Sequence, residues 1–398
     1  MVLDLARPCF TPYSMRGDRK GLSVRLISGE VLWKPRPRSQ LVVEVVLMEI
    51  LFVGLGDCGC RITDKLLSYE RGLPFKSKRQ GLFKGVVVNN SMELLRSLQN
   101  IPSEYKVLLN EEVVGTGPKA SGNREFGKEI ASDGADIVLD AVEGLYGAEI
   151  DAIMLITGLG GGYGGGAAPG VAELMVKELG GDTPIYALGV LPMEQEPDKR
   201  LRNASECLRE LVRVVDNLML VDNNKFVRRE MDTEGIYTKF NSEIAKPIRM
   251  LAAGDVGVEA EYSVDTADVL EALTGKGIST VGYAESEVGG RFIPRIFRKE
   301  KEEERELSTM LADRALRYNL MLDCNPKSAS GAILVMAGPP QSLRFFDAQF
   351  KIQQELGFDV VGGVVSAPRW GKIGVTILLS GITESKRLES VVKGPAQT

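Results

Sequence analysis

At 398 residues the chain has room for two or three domains with sizeable cores. A hydrophobic share of 44%, a charged share of 26% and a net charge of -5 describe an ordinary globular protein and argue against a nucleic-acid binder. There is no histidine, which excludes Ser–His and Cys–His triads, histidine general bases and nearly every common zinc site.

Residues 1–47 differ from the rest: Arg and Lys outnumber acids, and KPRPR, Lys34 to Arg38, is a stiff, basic piece. Arg7 and Pro8 break the apolar opening, so nothing there reads as a signal peptide. Met48 then opens MEILFVGLG, a buried strand running into a glycine loop. The shift favours a natural start at Met48 over a genuine extension that contacts a neighbour.

Residues 49–69 read strand, loop, helix: ILFV, GLGDCGC, RITDKLLSYE. Gly54-x-Gly56-x-x-Gly59 matches the dinucleotide fingerprint, which wants an acid about 20 positions on to hold a ribose hydroxyl. The second strand, FKGVVV (83–88), instead ends in Asn89-Asn90, which weighs against an NAD(P) oxidoreductase. Cys58 and Cys60 have no partner cysteine nearby and read as small residues packed beside phosphates. A further glycine-rich loop, VGTGPKASGN (114–123), precedes the helical pattern REFGKEIASDGADIVLDAVE.

The richest stretch is Asp151 to Pro169. An apolar run, Ile153 to Thr157, meets seven glycines among the nine residues Gly158 to Gly166, and the helical GVAELMVKEL follows. Strand, glycine loop and helix point backbone N–H groups and a helix N-terminus at a phosphate. A flexible linker would carry Ser and Pro and lack flanking core elements. Three such units place their loops on one edge of a parallel sheet.

After PIYALGVLP comes the charged stretch Pro192 to Arg200, then ASECLRELVRVVDNLMLVDNNKFV, a helix and a buried strand ending near Asn223. Tyr237 and Asn241 are four apart and share a helix face. From Asn241, NSEIAKPIRMLAAG predicts a helix of about 12–15 residues, with Pro247 expected to kink or loosen it. Residues 299–322 begin as a charge block and become an amphipathic helix. ASGAILVMAGPP, SLRFFDAQFKIQQELG, DVVGGVVSAP and KIGVTILLSGI make a small mixed α/β domain, and ESKRLESVVKGPAQT reads as a partly disordered tail. No apolar run reaches the roughly 18–20 residues that span a bilayer. The five scattered cysteines (Cys9, Cys58, Cys60, Cys207, Cys324) suggest reduced thiols in a cytoplasm.

GLGDCGCRITDKL, GLGGGYGGGAAP and the later segments resemble the tubulin/FtsZ superfamily, most closely its archaeal CetZ branch, from Met48 to about Ile382. Gly160-Gly161-Gly162-Tyr163-Gly164-Gly165-Gly166 stands where the superfamily carries G-G-G-T-G-[ST]-G, with Tyr163 and Gly165 at the two hydroxyl positions. The resemblance implies a GTP-binding α/β domain with a doubly wound, mainly parallel sheet, joined by a long central helix to a smaller mixed α/β domain. The corresponding boundaries are an extension over 1–47, the GTP-binding domain over 48–236 and the central helix over 237–256. A C-terminal domain over 257–385 and a tail over 386–398 complete them.

It further implies GTP/GDP with Mg2+, and nucleotide contacts from Gly56, Asp57, Cys58, Gly59, Gly115, Gly117 and the glycine run 160–166. Glu196 and Arg200 fall in the ribose-loop places, although surface charges capping the next helix would look the same. Asn223 and Asn241 take the guanine-reading places, where an amide supplies the paired donor and acceptor of a purine edge. Tyr237 takes the base-stacking place, and is equally acceptable as a core aromatic. Ser263-Val-Asp265-Thr-Ala-Asp268 resembles the catalytic loop N-x-D-x-x-D, with helix capping the plain alternative for Asp265.

If Asn241 touches the base and Asp265 lies past the far end of its helix, the two acids meet the nucleotide of the next subunit. Such head-to-tail stacking need not close, so it makes a homopolymer filament. The expected function is a cytoskeletal GTPase that hydrolyses GTP at subunit junctions, with an implied role in archaeal cell shape. A nucleotide-binding filament protein with little hydrolysis is the alternative.

Overall fold

The computed structural model describes residues 49–68, 83–109, 123–147, 150–181, 183–226, 233–252, 266–273, 275, 277–288, 300–367 and 370–394. Six strands form the first half of one sheet: β1 (Ile50–Leu55), β2 (Phe83–Asn89), β3 (Lys106–Leu108), β4 (Ala152–Gly158), β5 (Ile185–Leu191) and β6 (Asn217–Asp222). They lie in the order β3-β2-β1-β4-β5-β6, all parallel. β1, β5 and β6 are buried along their whole length, which is why they read as unbroken apolar runs rather than alternating ones.

Helices cover both faces. Leu51, Val53, Leu55, Ile153 and Leu155 point toward α3 (Arg124–Asp133), α4 (Ala135–Glu143), α5 (Tyr163–Glu178) and α6 (Asp198–Val214). The alternate residues Ile50, Phe52, Met154, Leu188 and Val221 point toward α1 (Gly56–Ser68), α7 (Thr233–Ala252) and α8 (Thr266–Leu273). A short helix, α2 (Met92–Ser97), closes the β2–β3 edge with Leu94 and Leu95. The fold is therefore doubly wound, as expected.

The sheet does not stop at β6. Asn217–Met219 pair in parallel with Gly277–Ser279 of β7 (Gly277–Glu287), which carries the sheet into the second domain. There β8 (Gly331–Gly338), β9 (Val361–Ser366) and β10 (Lys372–Ser380) extend it to ten strands, in the order β7-β10-β8-β9. β10 runs antiparallel to β7 and β8, and β9 runs parallel to β8. Helices α9 (Glu300–Arg317) and α10 (Phe345–Leu356) lie on the same face as α5 and α6.

The helices differ from the sequence expectation in three places. α1 and α5 begin at Gly56 and Tyr163, so Gly59 and Gly164–Gly166 are helical residues rather than loop. α7 has 20 residues, about 30 Å, and runs through Pro247; it starts eight residues ahead of Asn241. The tail from Lys386, expected to be partly disordered, instead forms α11 (Lys386–Lys393). Ser385 caps it by accepting from the Leu388 N–H at 3.2 Å. Leu388, Val391 and Val392, spaced for one helix face, pack on the core.

Candidate nucleotide-binding site

The carboxyl ends of four parallel strands open on the same edge: β1 into Gly56, β4 into Leu159, β5 into Pro192 and β6 into Asn223. That edge is where open α/β sheets bind ligands. At Gly56 the chain turns from strand to helix with φ +66, a left-handed value that glycine adopts freely. A Cβ there would lie 3.0 Å from the Gly164 Cα, so the first turns of α1 and α5 touch. Each first turn leaves N–H groups without an intrahelical acceptor and carries the positive end of the helix dipole. Two such ends side by side form an anion site.

The glycines divide into two kinds. Gly161 is exposed, and a Cβ on it would approach nothing closer than the Gly158 carbonyl at 3.4 Å. Gly164, Gly165 and Gly166 are buried. A Cβ on Gly165 would collide with the Leu159 carbonyl, and one on Gly166 with the Arg124 carbonyl. The helix can cross β1, β4 and α3 this closely only because these three lack side chains. A serine or threonine, which the superfamily pattern allows at Gly165, does not fit this packing.

Tyr163 also differs from the expectation. Its hydroxyl donates to the Leu109 carbonyl at 3.1 Å, and burial pushes the phenol well above its usual pKa. The side chain spans to the β3 end of the sheet, leaving its backbone N–H at the start of α5. Asp57 is exposed on the first turn of α1, where its Oδ1 accepts from the Asn89 amide at 3.0 Å. Burial, with Asp57 and Glu196 adding repulsion, pushes the Cys58 thiol up to about 12. Cys60 is buried and directs its Sγ at the Gly54 and Val88 carbonyls, 3.6 and 3.5 Å away. Neither thiol is poised for redox work.

The ribose-loop residues are internally bonded. Glu196 accepts from the Met193 N–H at 2.8 Å and pairs with Arg200 one helical turn on. Asn223 is buried and opens a short 3-10 turn, Asn223–Phe226. The rings of Phe226 and Phe240 stand 4.9 Å apart, which sets that turn against α7 beside Asn241, itself 7% exposed. Tyr237 lies one turn earlier on the same helix. Gly115, Gly117 and Asp265 lie outside the described residues.

Several members of this edge escaped the sequence reading. Asn203 of α6 donates to the Gly160 carbonyl at 3.2 Å. Asn224 accepts from the Glu194 N–H and donates its own N–H to Asp222, each at 3.1 Å. The Asp-Asn-Asn run after a buried strand was the available signal for Asn224, since such residues bond their own backbone at turns.

Asp268 belongs to α8, which sits at the opposite edge. The Leu270 carbonyl accepts from the Tyr186 hydroxyl at 3.4 Å, and the Leu273 carbonyl from the Asn217 amide at 2.9 Å. Tyr186 and Asn217 stand at the amino ends of β5 and β6. Those strands then run their length, about 20 Å at 3.3 Å per residue, before reaching the glycine edge.

Comparison with known proteins agrees with this layout. A family model described as the tubulin/FtsZ family GTPase domain matches residues 49–229, and one for the C-terminal domain of tubulin-like CetZ matches 231–396. The chain is 32% identical to tubulin-like protein CetZ1 of Haloferax volcanii over 86% of this chain and 91% of that protein. It is 30% identical to the CetZ protein of Pyrococcus horikoshii over 87% and 88%. Among solved structures, the GDP-bound CetZ1 monomer of Haloferax volcanii superposes with a TM-score of 0.75 at 31% identity, over 87% of this chain and 98% of that one. The GTPγS-bound CetZ2 protofilament from the same organism gives 0.74 at 28% identity, over 87% and 97%. FtsZ of M. jannaschii, at 22% identity and a TM-score of 0.64, shares the fold. With two family models spanning both domains, and glycine edge and second domain each in their places, the chain belongs to the tubulin/FtsZ family, in its tubulin-like CetZ branch.

Proposed function

We propose that the chain binds GTP and GDP at the glycine edge, polymerises head to tail with copies of itself, and hydrolyses GTP at the junctions. The observation that carries this reading is the opposition of the two edges. The strand-to-helix turns and the Asn223–Asn241 corner occupy one edge of the sheet, while α8, with Asp268, is anchored at the other. In this reading Gly56, Gly59 and the backbone of Gly160 to Gly164 receive the phosphates, and Asn223 and Asn241 read the guanine edge. Tyr237 lies against the base, and Glu196 with Arg200 borders the ribose. Gly115 and Gly117 are assigned nucleotide contacts on the resemblance alone. Asp265 and Asp268 of the next subunit then polarise the attacking water.

Mg2+ suits this donor set. Among the described residues no group of three or more acids and thiols forms a metal cage, and Mg2+ usually takes one or two carboxylates together with phosphate oxygens. Asp57, exposed on the first turn of α1, is the carboxylate in position, and the ion would offset phosphate charge there. Cytoplasmic placement and a role in archaeal cell shape follow from the resemblance alone.

A second reading, a filament protein that turns GTP over slowly, is favoured by Tyr163 and Gly165. The first directs its hydroxyl to Leu109, and the second has no hydroxyl to give the terminal phosphate. Phosphate release from Asp265→Asn and Asp268→Asn separates the two. In the GTPase reading both variants bind GTP like the wild type and assemble, while turnover falls about 100-fold or more. Wild-type turnover that is itself near background supports the slow filament, whereas brisk wild-type turnover left undiminished in both variants removes the acids from the mechanism.

A further inference from the structure

The last helix of the chain reaches back to the glycine edge. α11 lies along α6, where the Ser205 hydroxyl donates to the Val392 carbonyl at 3.3 Å and the Arg209 guanidinium donates to the same oxygen. From the first turn of α11, Arg387 points inward and is only 5% exposed. Its Nε donates to Asp222 Oδ2 at 2.9 Å. One terminal nitrogen donates to the Pro192 carbonyl at 2.6 Å and to Asp222 Oδ1 at 3.5 Å. The other faces Glu194 Oε1 at 3.4 Å.

Each acceptor belongs to a strand end that carries the nucleotide contacts proposed above. Asp222 directly precedes Asn223, and Pro192 opens the loop that holds Glu196. The bonds continue outward from Arg387: Asp222 accepts from Asn224 N–H, Asn224 accepts from Glu194 N–H, and Glu196 accepts from Met193 N–H. A guanidinium suits this place because its planar fork serves a carboxylate and a carbonyl in fixed directions, which an ammonium cannot do at once. Removing it strands a carboxylate that is 2% exposed and releases both strand ends. An eight-residue helix is not stable alone, so α11 owes its order to this docking.

We propose that Arg387 is a positioning residue for the nucleotide, and that α11 is a latch whose seating is coupled to occupancy of the ribose and base half of the site. This rests on the guanine-nucleotide reading above. Coupling of this kind is reciprocal: if the seated latch tightens nucleotide binding, bound nucleotide holds the latch by the same factor.

The test titrates a fluorescent GDP analogue into dilute wild type, Arg387→Lys and Arg387→Ala, and follows amide exchange of α11 in the wild type with and without GDP. The expected result is a loss of affinity of about tenfold in Arg387→Ala and a smaller loss in Arg387→Lys. Alongside it, GDP slows α11 exchange several-fold in the wild type. A purely structural Arg387 would not give that last signal. Arg387→Ala affinity within about twofold of wild type, or α11 exchange indifferent to GDP, overturns the latch. Should Arg387→Ala fail to fold, Arg387→Lys and the wild-type exchange decide alone. A wild type that binds no GDP overturns the nucleotide reading and the latch together, whereas a wild type that binds while its variants match it overturns the latch only.

Discussion

The two halves of the run Gly160 to Gly166 are alike in composition and opposite in use. The first half is a turn whose middle glycine, Gly161, is exposed with room for a side chain, flanked by the buried Gly160, pinned by Asn203, and the buried Gly162. The second half is the buried first turn of α5, held against β1, β4 and α3 with no space for a methyl group. Tyr163 divides them, its ring leaving for Leu109. A glycine run at a strand-to-helix turn thus solves two problems: it lets a ligand approach backbone amides, and it lets helices cross closely enough to aim their N-termini together.

Substitutions that treat the halves separately sharpen this contrast. Gly166→Ala should be the most damaging, because its Cβ meets the backbone carbonyl of Arg124, which no side-chain rotation relieves. A stability loss of about 3 kcal/mol is expected in urea unfolding, with nucleotide affinity reduced only as far as α5 is displaced. Asn241→Asp exchanges one donor for a charge at a position 7% exposed. Guanine nucleotide affinity should fall by about 2 kcal/mol in a titration, and an unchanged affinity removes Asn241 from the base site. Gly161→Ala should leave the unfolding midpoint within about 0.5 kcal/mol while lowering nucleotide affinity about tenfold. Equal losses of stability at Gly161 and Gly166 would erase the distinction between the halves. Tyr163→Phe should have the smallest effect, about 1 kcal/mol of stability from the bond to Leu109, with nucleotide affinity unaltered.

Much of the fold was legible because its signals are local. Buried parallel strands are continuous apolar runs, as in Ile50–Leu55 and Ile185–Leu191, and glycine-rich turns follow several of them. What stayed hidden depends on distant pairs. The packing of Gly166 is set by Arg124, and the partners of Arg387 lie 165 and 195 residues away. The tail reads as partly disordered in sequence because one short amphipathic turn carries little weight without the surface that receives it. The pairing of Asn217–Met219 with Gly277–Ser279, which makes one sheet of two domains, likewise left no mark on either segment alone. Within the site, the motif gave the positions of Tyr163 and Gly165 but not that one hydroxyl is turned aside and the other excluded by packing.

The proposed function turns on the Asn223–Asn241 corner standing at one edge of the sheet and α8, which carries Asp268, at the other, so that hydrolysis would belong to a contact between subunits. The most direct measurement is phosphate release per subunit over a rising protein concentration, with light scattering recorded on the same samples. The expected result is negligible turnover below the onset of scattering and a steep rise per subunit above it. A constant rate per subunit, extending to dilutions at which no assembly occurs, would contradict it.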